Sequence, residues 1–155
     1  MAELRDILYK VSLVSASGDM TQDIKAVAFD SRKVEKNSLF VAVSGTQVDG
    51  HDYIQKAVES GATAIICEKL PEVIHENVPS VAVKNTAEAI GIVAANFSQN
   101  PASNLKLVGV TGTNGKTTIA TLLFTLNRKL GYSVGLLSNV ENKNDDEIIN
   151  SSHTT

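Results

Sequence analysis

The sequence predicts an α/β protein built in two parts, and three observations carry that expectation. Short apolar runs of strand character alternate with runs of helical period along the 155 residues. A polar break from Gln99 to Asn104, with Pro101 inside it, divides the chain into residues 1–103 and 104–155. Just beyond the break, a glycine-rich loop from Thr111 to Thr118 stands between an apolar run and a helical run. Such alternation implies a largely parallel sheet in at least the second part.

The elements follow in order. Glu3 to Tyr9 predicts a short helix with Leu4, Ile7 and Leu8 on one face. Val11 to Val14 and Ile24 to Phe29 read as strands around a turn from Ser15 to Asp19. Leu39 to Val43 is a third strand that runs into Ser44, Gly45, Thr46 and Gln47. Tyr53 to Ser60 predicts a helix closed by Gly61. Thr63 to Cys67 and Val81 to Val83 are short apolar strands, separated by a polar segment that holds Pro71, His75 and Pro79.

Thr86 to Phe97 predicts a long helix with Ala87, Ile90, Val93, Ala94 and Phe97 along one face. Asn85 is its expected N-cap, and Glu88 stands where a capping box places its acid. After the break, Leu105 to Val110 is an expected strand, Ile119 to Leu130 a helix, and a further strand ends near Leu137. Asn142 to Glu147 reads as a polar loop.

Composition narrows the function. The net charge of −3 argues against a general nucleic-acid binder, which would carry a basic stripe. No apolar run approaches the roughly 18 residues of a membrane span, and the first residues lack a signal-peptide core. Cys67 is the only cysteine, so no internal disulfide forms, and its apolar neighbours predict a buried, inert thiol. A cytoplasmic protein is the consistent expectation.

The loop carries the chemistry. Glycines let backbone N–H groups approach phosphate oxygens, and a helix N-terminus adds partial positive charge. Lys116 would supply a full positive charge, and the Thr117 hydroxyl would reach the Mg²⁺ that accompanies ATP. The general G-x-x-x-x-G-K-S/T pattern would need glycine at position 110, which is Val110. The dinucleotide fingerprint fails too, because no two glycines here are separated by one residue. A plain glycine turn between strand and helix would have no need of Gly115-Lys116-Thr117-Thr118.

Two further loops follow strands. In Asp30-Ser31-Arg32-Lys33, Ser31 and Arg32 are candidate phosphate contacts, against the simpler reading of a charged surface turn. Gly45 to Asp52 has two glycines that suit either close approach to a ligand or an ordinary strand-to-helix connection. His51 reads as a loop residue beside Asp49 and Asp52, with no metal-ligand companions at helical spacing. His153 at the chain end, beside Thr154 and Thr155, means little alone.

Together these segments resemble one family. Thr111 to Thr118 looks like the ATP-binding G-x-x-G-K-T loop of the Mur ligases, the ATP-dependent amide ligases that build the peptidoglycan stem peptide. Folate polyglutamate and cyanophycin synthetases have similar loops, but the former usually follow the lysine with Gly-Ser, where this chain has Thr117 and Thr118. Asp30-Ser31-Arg32-Lys33-Val34, Ser38 to Val43, Gly45 with Asp49-Gly50-His51, and Gly61-Ala62 resemble the UDP-binding domain of the third and fourth ligases. The fourth, which adds D-alanyl-D-alanine, more often has Asp-Thr-Arg at the first site and Ser after the loop's first glycine. Asp30-Ser31-Arg32, Thr113-Asn114 and His153-Thr154-Thr155 fit the third better.

The resemblance implies a UDP-binding N-terminal domain of mixed sheet with flanking helices over 1–103. From 104 to 155 it implies the first βαβ unit of a P-loop-like central ATPase domain. It implies that Ser31, Thr46, Gln47, Val48, Thr154 and Thr155 contact the UDP-muramyl substrate. Gly112, Thr113, Asn114, Gly115, Lys116, Thr117 and Thr118 would bind ATP, with Lys116 on the β/γ-phosphates and Thr117 near Mg²⁺. The implied reaction phosphorylates the D-glutamyl carboxylate of UDP-N-acetylmuramoyl-L-alanyl-D-glutamate with ATP. The amine of a diamino acid, meso-diaminopimelate or L-lysine, then displaces phosphate from that acyl phosphate. The reading keeps two alternatives: the D-alanyl-D-alanine ligase, and a non-catalytic UDP-sugar-binding module.

The family's metal-binding glutamate, carbamylated lysine and C-terminal domain have no counterpart in these residues. About 50 residues after the break give less than half of a typical domain. The polypeptide therefore reads as truncated, with a sheet face left uncovered. The 155-residue chain alone is expected not to catalyse ligation. ADP release that depends on both the UDP-muramyl dipeptide and a diamino acid would contradict this.

Overall fold

The computed structural model describes residues 2–45, 48–71, 78–144 and 147–149. The chain divides into two compact units, Met1–Leu105 and Lys106–Thr155. The first contains β1 (Ala2–Glu3), α1 (Leu4–Ile7), β2 (Leu13–Ser17), β3 (Asp23–Ile24), β4 (Ala26–Ala28) and β5 (Ser38–Val41). It continues with α2 (Ile54–Glu59), β6 (Ala62–Cys67), β7 (Ser80–Val83) and α3 (Thr86–Phe97). Five strands form one sheet in the order β2-β7-β6-β5-β4. Strands β4 to β7 are mutually parallel. β2 runs antiparallel along β7, with a register shift between Leu13 and Ser15.

Alternation along the central strands fills both faces. Leu39, Val41, Ala64, Ile66, Val81 and Val83 pack with Leu4 and Ile7 of α1 and with Ala89 and Val93 of α3. Phe40, Ala42, Ile65 and Cys67 point the other way, onto Ile54 and Ala57 of α2. A parallel sheet covered on both faces has no polar side to alternate with, which explains why these strands read as unbroken apolar runs. Asn96 ties α3 to the end of α1, donating to the Ile7 carbonyl at 2.9 Å and the Tyr9 carbonyl at 2.6 Å. Burial pushes the Cys67 thiol up to about 11, so it is inert, as its surroundings in sequence suggested.

The α/β class, the mixed sheet and the flanking helices are those expected, and α3 spans the residues its periodicity gives. The Asn85 side chain accepts from the Glu88 N–H at 3.0 Å. Two strand boundaries differ. Ser15, Ala16 and Ser17 lie in β2 rather than in a turn, because the ladder to β7 continues to Ser17 opposite Ser80. The turn follows, with the Asp19 carboxylate accepting from the Thr21 N–H and hydroxyl. The expected strand from Ile24 to Phe29 is split: β3 pairs with β1, β4 with β5, and the Lys25 N–H between them goes to the Asn37 carbonyl.

The second unit holds α4 (Lys116–Lys129) and an antiparallel meander of β8 (Gly135–Leu137), β9 (Asn142–Asn144) and β10 (Glu147–Ile149). Leu105 to Val110 does not form the strand its composition suggests, since no described segment offers it a ladder partner. Leu107 and Val108 are accordingly about three-quarters exposed (75% and 76%). The residues read as a polar loop instead supply β9 and the start of β10, where cross-strand pairing outweighs poor strand propensity. The βαβ unit expected over 104–155 is thus not closed among the described residues: α4 leads to a strand in an antiparallel sheet. Phe124 and Leu136 are buried, whereas Ile119, Leu122, Leu126 and Leu130 lie exposed along α4.

The Asn85 cap gives a direct test of α3. Asn85→Ala is expected to lower unfolding stability by about 1 kcal/mol, read from denaturant melts, with helix content near that of the parent.

Candidate functional site

Because β4 to β7 are parallel, their C-terminal ends open on one edge of the first unit's sheet, where ligands of open α/β sheets bind. Four connections leave from there. After β4, a 3-10 turn at Ser31–Lys33 begins on Asp30, whose carboxylate accepts from the Arg32 N–H at 3.0 Å. Ser31 is buried at the start of that turn. The Arg32 guanidinium forks onto the same carboxylate, Nε to Oδ1 at 3.0 Å and Nη2 to Oδ2 at 2.7 Å. That side chain and the Arg32 N–H hold the Asp30 carboxyl well below the usual carboxylate range.

After β5, the chain folds back on itself. Ser44 and Asp49 form an antiparallel bridge, the Gly45 N–H donates to the Val48 carbonyl, and the Gly50 N–H donates to the Val43 carbonyl. Val48 is exposed at this loop. Thr46 and Gln47, expected here as substrate contacts, lie outside the described residues. So do His75, His153, Thr154 and Thr155.

After β6 comes Glu68, which the sequence did not single out. Its Oε1 accepts from the Thr86 N–H at 2.8 Å and the Thr86 hydroxyl at 2.9 Å, and its Oε2 accepts from Ser44 at 3.4 Å. Glu68 thereby caps α3 beside Asn85, and the Thr86 N–H, then its hydroxyl, lower the Glu68 pKa. Its partner lies 18 residues along the chain, so the only local signals were an acid at a strand exit and a threonine at a helix start. His51 joins the same cluster. Its Nδ1 lies 2.6 Å from Asp49 Oδ1, and its Nε2 accepts from the Glu68 N–H at 2.8 Å. The His51 N–H, then the ring, lower the Asp49 pKa.

In the second unit, the glycine loop opens α4. Gly112 has φ +147° and Gly115 φ +76°, both in the left-handed region that glycine tolerates best. The first helical bond runs from the Ile119 N–H to the Gly115 carbonyl at 2.9 Å. The N–H groups of Lys116, Thr117 and Thr118 have no backbone acceptor among the described residues, leaving a row of donors at the positive end of the helix. Lys116 Nζ is folded over the loop, donating to the Gly112 carbonyl at 2.6 Å and the Thr113 carbonyl at 3.4 Å. Thr113 and Asn114 form the exposed span between the two glycines, and Thr117 and Thr118 the exposed first turn. These features suit the phosphates of a nucleotide. Among the described residues no group of three His, Cys, Asp or Glu is placed to hold a metal ion, and no helix is long and apolar enough to cross a membrane.

The first unit thus offers a polar edge at its strand exits and the second a glycine-lysine loop at a helix start, each of a kind that suits a nucleotide. A model described as the Mur ligase family, catalytic domain, matches residues 23–98. The UDP-N-acetylmuramoyl-L-alanyl-D-glutamate--2,6-diaminopimelate ligase of Cytophaga hutchinsonii is 53% identical over 154 residues, covering 99% of this chain and 32% of that protein. The Bacteroides fragilis ligase of the same name is 52% identical over 153 residues, with the same coverages. The crystal structure of MurF ligase from Thermotoga maritima in complex with ADP superposes with a TM-score of 0.53 at 31% identity, over 68% of this chain and 23% of that one. A solved UDP-N-acetylmuramoyl-L-alanyl-D-glutamate--2,6-diaminopimelate ligase gives a TM-score of 0.71 over 95% of this chain and 29% of that one. At 23% identity it supports the fold alone. Similarity to the Mur ligase family thus lies over residues 23–98, and similarity to relatives named as diaminopimelate ligases extends along nearly the whole chain. It spans about a third (32%) of the length of the curated relatives it matches.

The Glu68 cap predicts a pH dependence. Its carboxyl titrates below its ordinary value of 4.5 in the folded chain, so its stabilising effect is complete above that pH and fades as pH falls through the lowered value. Urea melts between about pH 7 and about pH 3 should show the parent losing more stability on acidification than Glu68→Gln, with the two converging at the acid end.

Proposed function

We propose that the chain is the substrate-binding and phosphate-loop portion of a ligase that adds a diamino acid to UDP-N-acetylmuramoyl-L-alanyl-D-glutamate. The observation that carries this is similarity of about half the residues, across nearly the whole chain, to proteins named as 2,6-diaminopimelate ligases. All eight of the relatives compared share that name, which favours it over the D-alanyl-D-alanine ligase. The proposed division assigns residues 1–103 to the UDP-muramyl substrate and 104–155 to the start of the ATP-binding domain. A cytoplasmic location belongs to the same proposal.

In this reading Ser31, Thr46, Gln47 and Val48 attend the UDP portion, supported by the position of Ser31 and Val48 on loops that leave the C-terminal ends of β4 and β5. Thr154 and Thr155 are assigned to the muramyl substrate in the same reading. ATP supplies the phosphoryl group that makes the D-glutamyl carboxylate reactive toward an amine. Gly112, Thr113, Asn114 and Gly115 cradle the phosphates, together with the N–H groups of Lys116, Thr117 and Thr118, which have no backbone acceptor among the described residues. Lys116 neutralises charge on the β/γ-phosphates, exchanging its bonds to the loop carbonyls for bonds to phosphate oxygens. The Thr117 hydroxyl, exposed in the first turn of α4, would offer one oxygen to a Mg²⁺ ion, which would add positive charge at the phosphates.

Calorimetric titration of the 155-residue chain tests the assignment. UDP-N-acetylmuramoyl-L-alanyl-D-glutamate and ATP with Mg²⁺ should each bind. Lys116→Ala should weaken ATP by about tenfold or more while leaving the UDP-muramyl ligand unchanged. Binding of the UDP-muramyl ligand without ATP would favour a non-catalytic UDP-sugar module.

A further inference from the structure

We infer that His51 is a positioning residue for the loop after β5, acting as the neutral imidazole protonated on Nδ1; the inference rests on the UDP-muramyl reading above. The hydrogen bonds fix the tautomer. Nε2 faces two backbone donors, the Glu68 N–H at 2.8 Å and the Lys69 N–H at 3.4 Å, so it must present a lone pair. Nδ1 faces the Asp49 carboxylate at 2.6 Å, which only accepts, so Nδ1 carries the proton. The ring therefore has one donor and one acceptor pointing in different directions, each matched.

That arrangement joins two separate connections. Asp49 belongs to the bridge that closes the loop with Ser44, and Glu68 leaves β6 and caps α3. The loop is tight: a Cβ on Gly50 would stand 2.7 Å from both the nitrogen and the carbonyl oxygen of Val43, and one on Gly45 would stand 2.7 Å from the Val48 carbonyl oxygen. It is thus closed on itself by backbone contacts, and His51 is the side chain that fastens it to the neighbouring strand exit. The Ser44 hydroxyl makes a longer second link, to Glu68 at 3.4 Å. Among the described residues, Asp49 meets the ring through its carboxylate, and Glu68 and Lys69 at the β6 exit meet it through their backbone N–H groups. The Glu68 carboxylate is directed onto Thr86 and Ser44, leaving its N–H for the imidazole. Sequence reading placed His51 beside Asp49, but the contact with Glu68 lies 17 residues away and has no periodic signature.

The test combines a spectroscopic signature with rescue. Nitrogen-15 shifts of the His51 ring in the 155-residue chain at neutral pH should report a protonated Nδ1 and an unprotonated Nε2. Titration with UDP-N-acetylmuramoyl-L-alanyl-D-glutamate should show binding weakened about tenfold in His51→Phe, which fills the space but neither donates nor accepts. His51→Gln, which retains one donor and one acceptor, should recover most of that loss. Thermal melts of both variants separate loop positioning from general destabilisation, because a purely structural role lowers the melting point without a difference in affinity among chains that remain folded. A protonated Nε2, or parental affinity in folded His51→Phe, overturns the inference. Absence of binding by the parent chain instead overturns the UDP-muramyl reading, and the positioning role with it.

Discussion

The parallel alignment of β4 to β7 is the constraint on which the first unit depends. Parallel strands require connections that return from one edge to the other, so every strand exit lies on a single side of the sheet. Asp30 to Lys33, Ser44 to Gly50, Glu68, and Asn85 with Thr86 come from four separate stretches of chain, yet all follow those exits. The same alignment requires cover on both faces, which α1 and α3 supply on one side and α2 on the other. Core and site are therefore two outcomes of one topology.

At that edge, polar groups serve both stability and placement. The Glu68 carboxylate occupies donors at the start of α3 that would otherwise lack partners, and its own N–H holds His51. A helix start satisfied by its own protein is not available to a ligand's phosphate. The loop at Gly112 to Thr118 has the opposite character: among the described residues no side chain caps α4 and its first N–H groups have no backbone acceptor, while Lys116 is drawn in over the backbone. One helix start is closed with an acid and the other is left open beside a lysine. That contrast separates a helix start satisfied within the chain from one that keeps donors to spare.

Legibility in the sequence tracked the range of the interactions. The span of α3 and its Asn85 cap were readable because period and cap both act within four residues. The glycine loop was readable for the same reason, as the turns at Gly112 and Gly115 and the Lys116 contacts all lie within four residues. Leu105 to Val110 has strand composition, but a strand exists only with a partner, and composition does not say whether one is there. β9 shows the converse, since Asn142, Lys143 and Asn144 are poor strand formers that pair on both sides. Glu68 stayed hidden because its role is defined by Thr86 and His51, which only the sheet brings near it.

The antiparallel β2 at one border of the sheet has a further consequence. Its register shifts between Leu13 and Ser15, and the irregularity falls on the outermost strand, with Val14 exposed beside it. An irregular border is a poor template for an incoming strand, because the extra residue interrupts the ladder and increases the local twist. Loss of the irregularity would leave a straighter border lined by Leu13 and Val14, inviting edge-to-edge self-association. The misfit residue thus acts as a guard against aggregation.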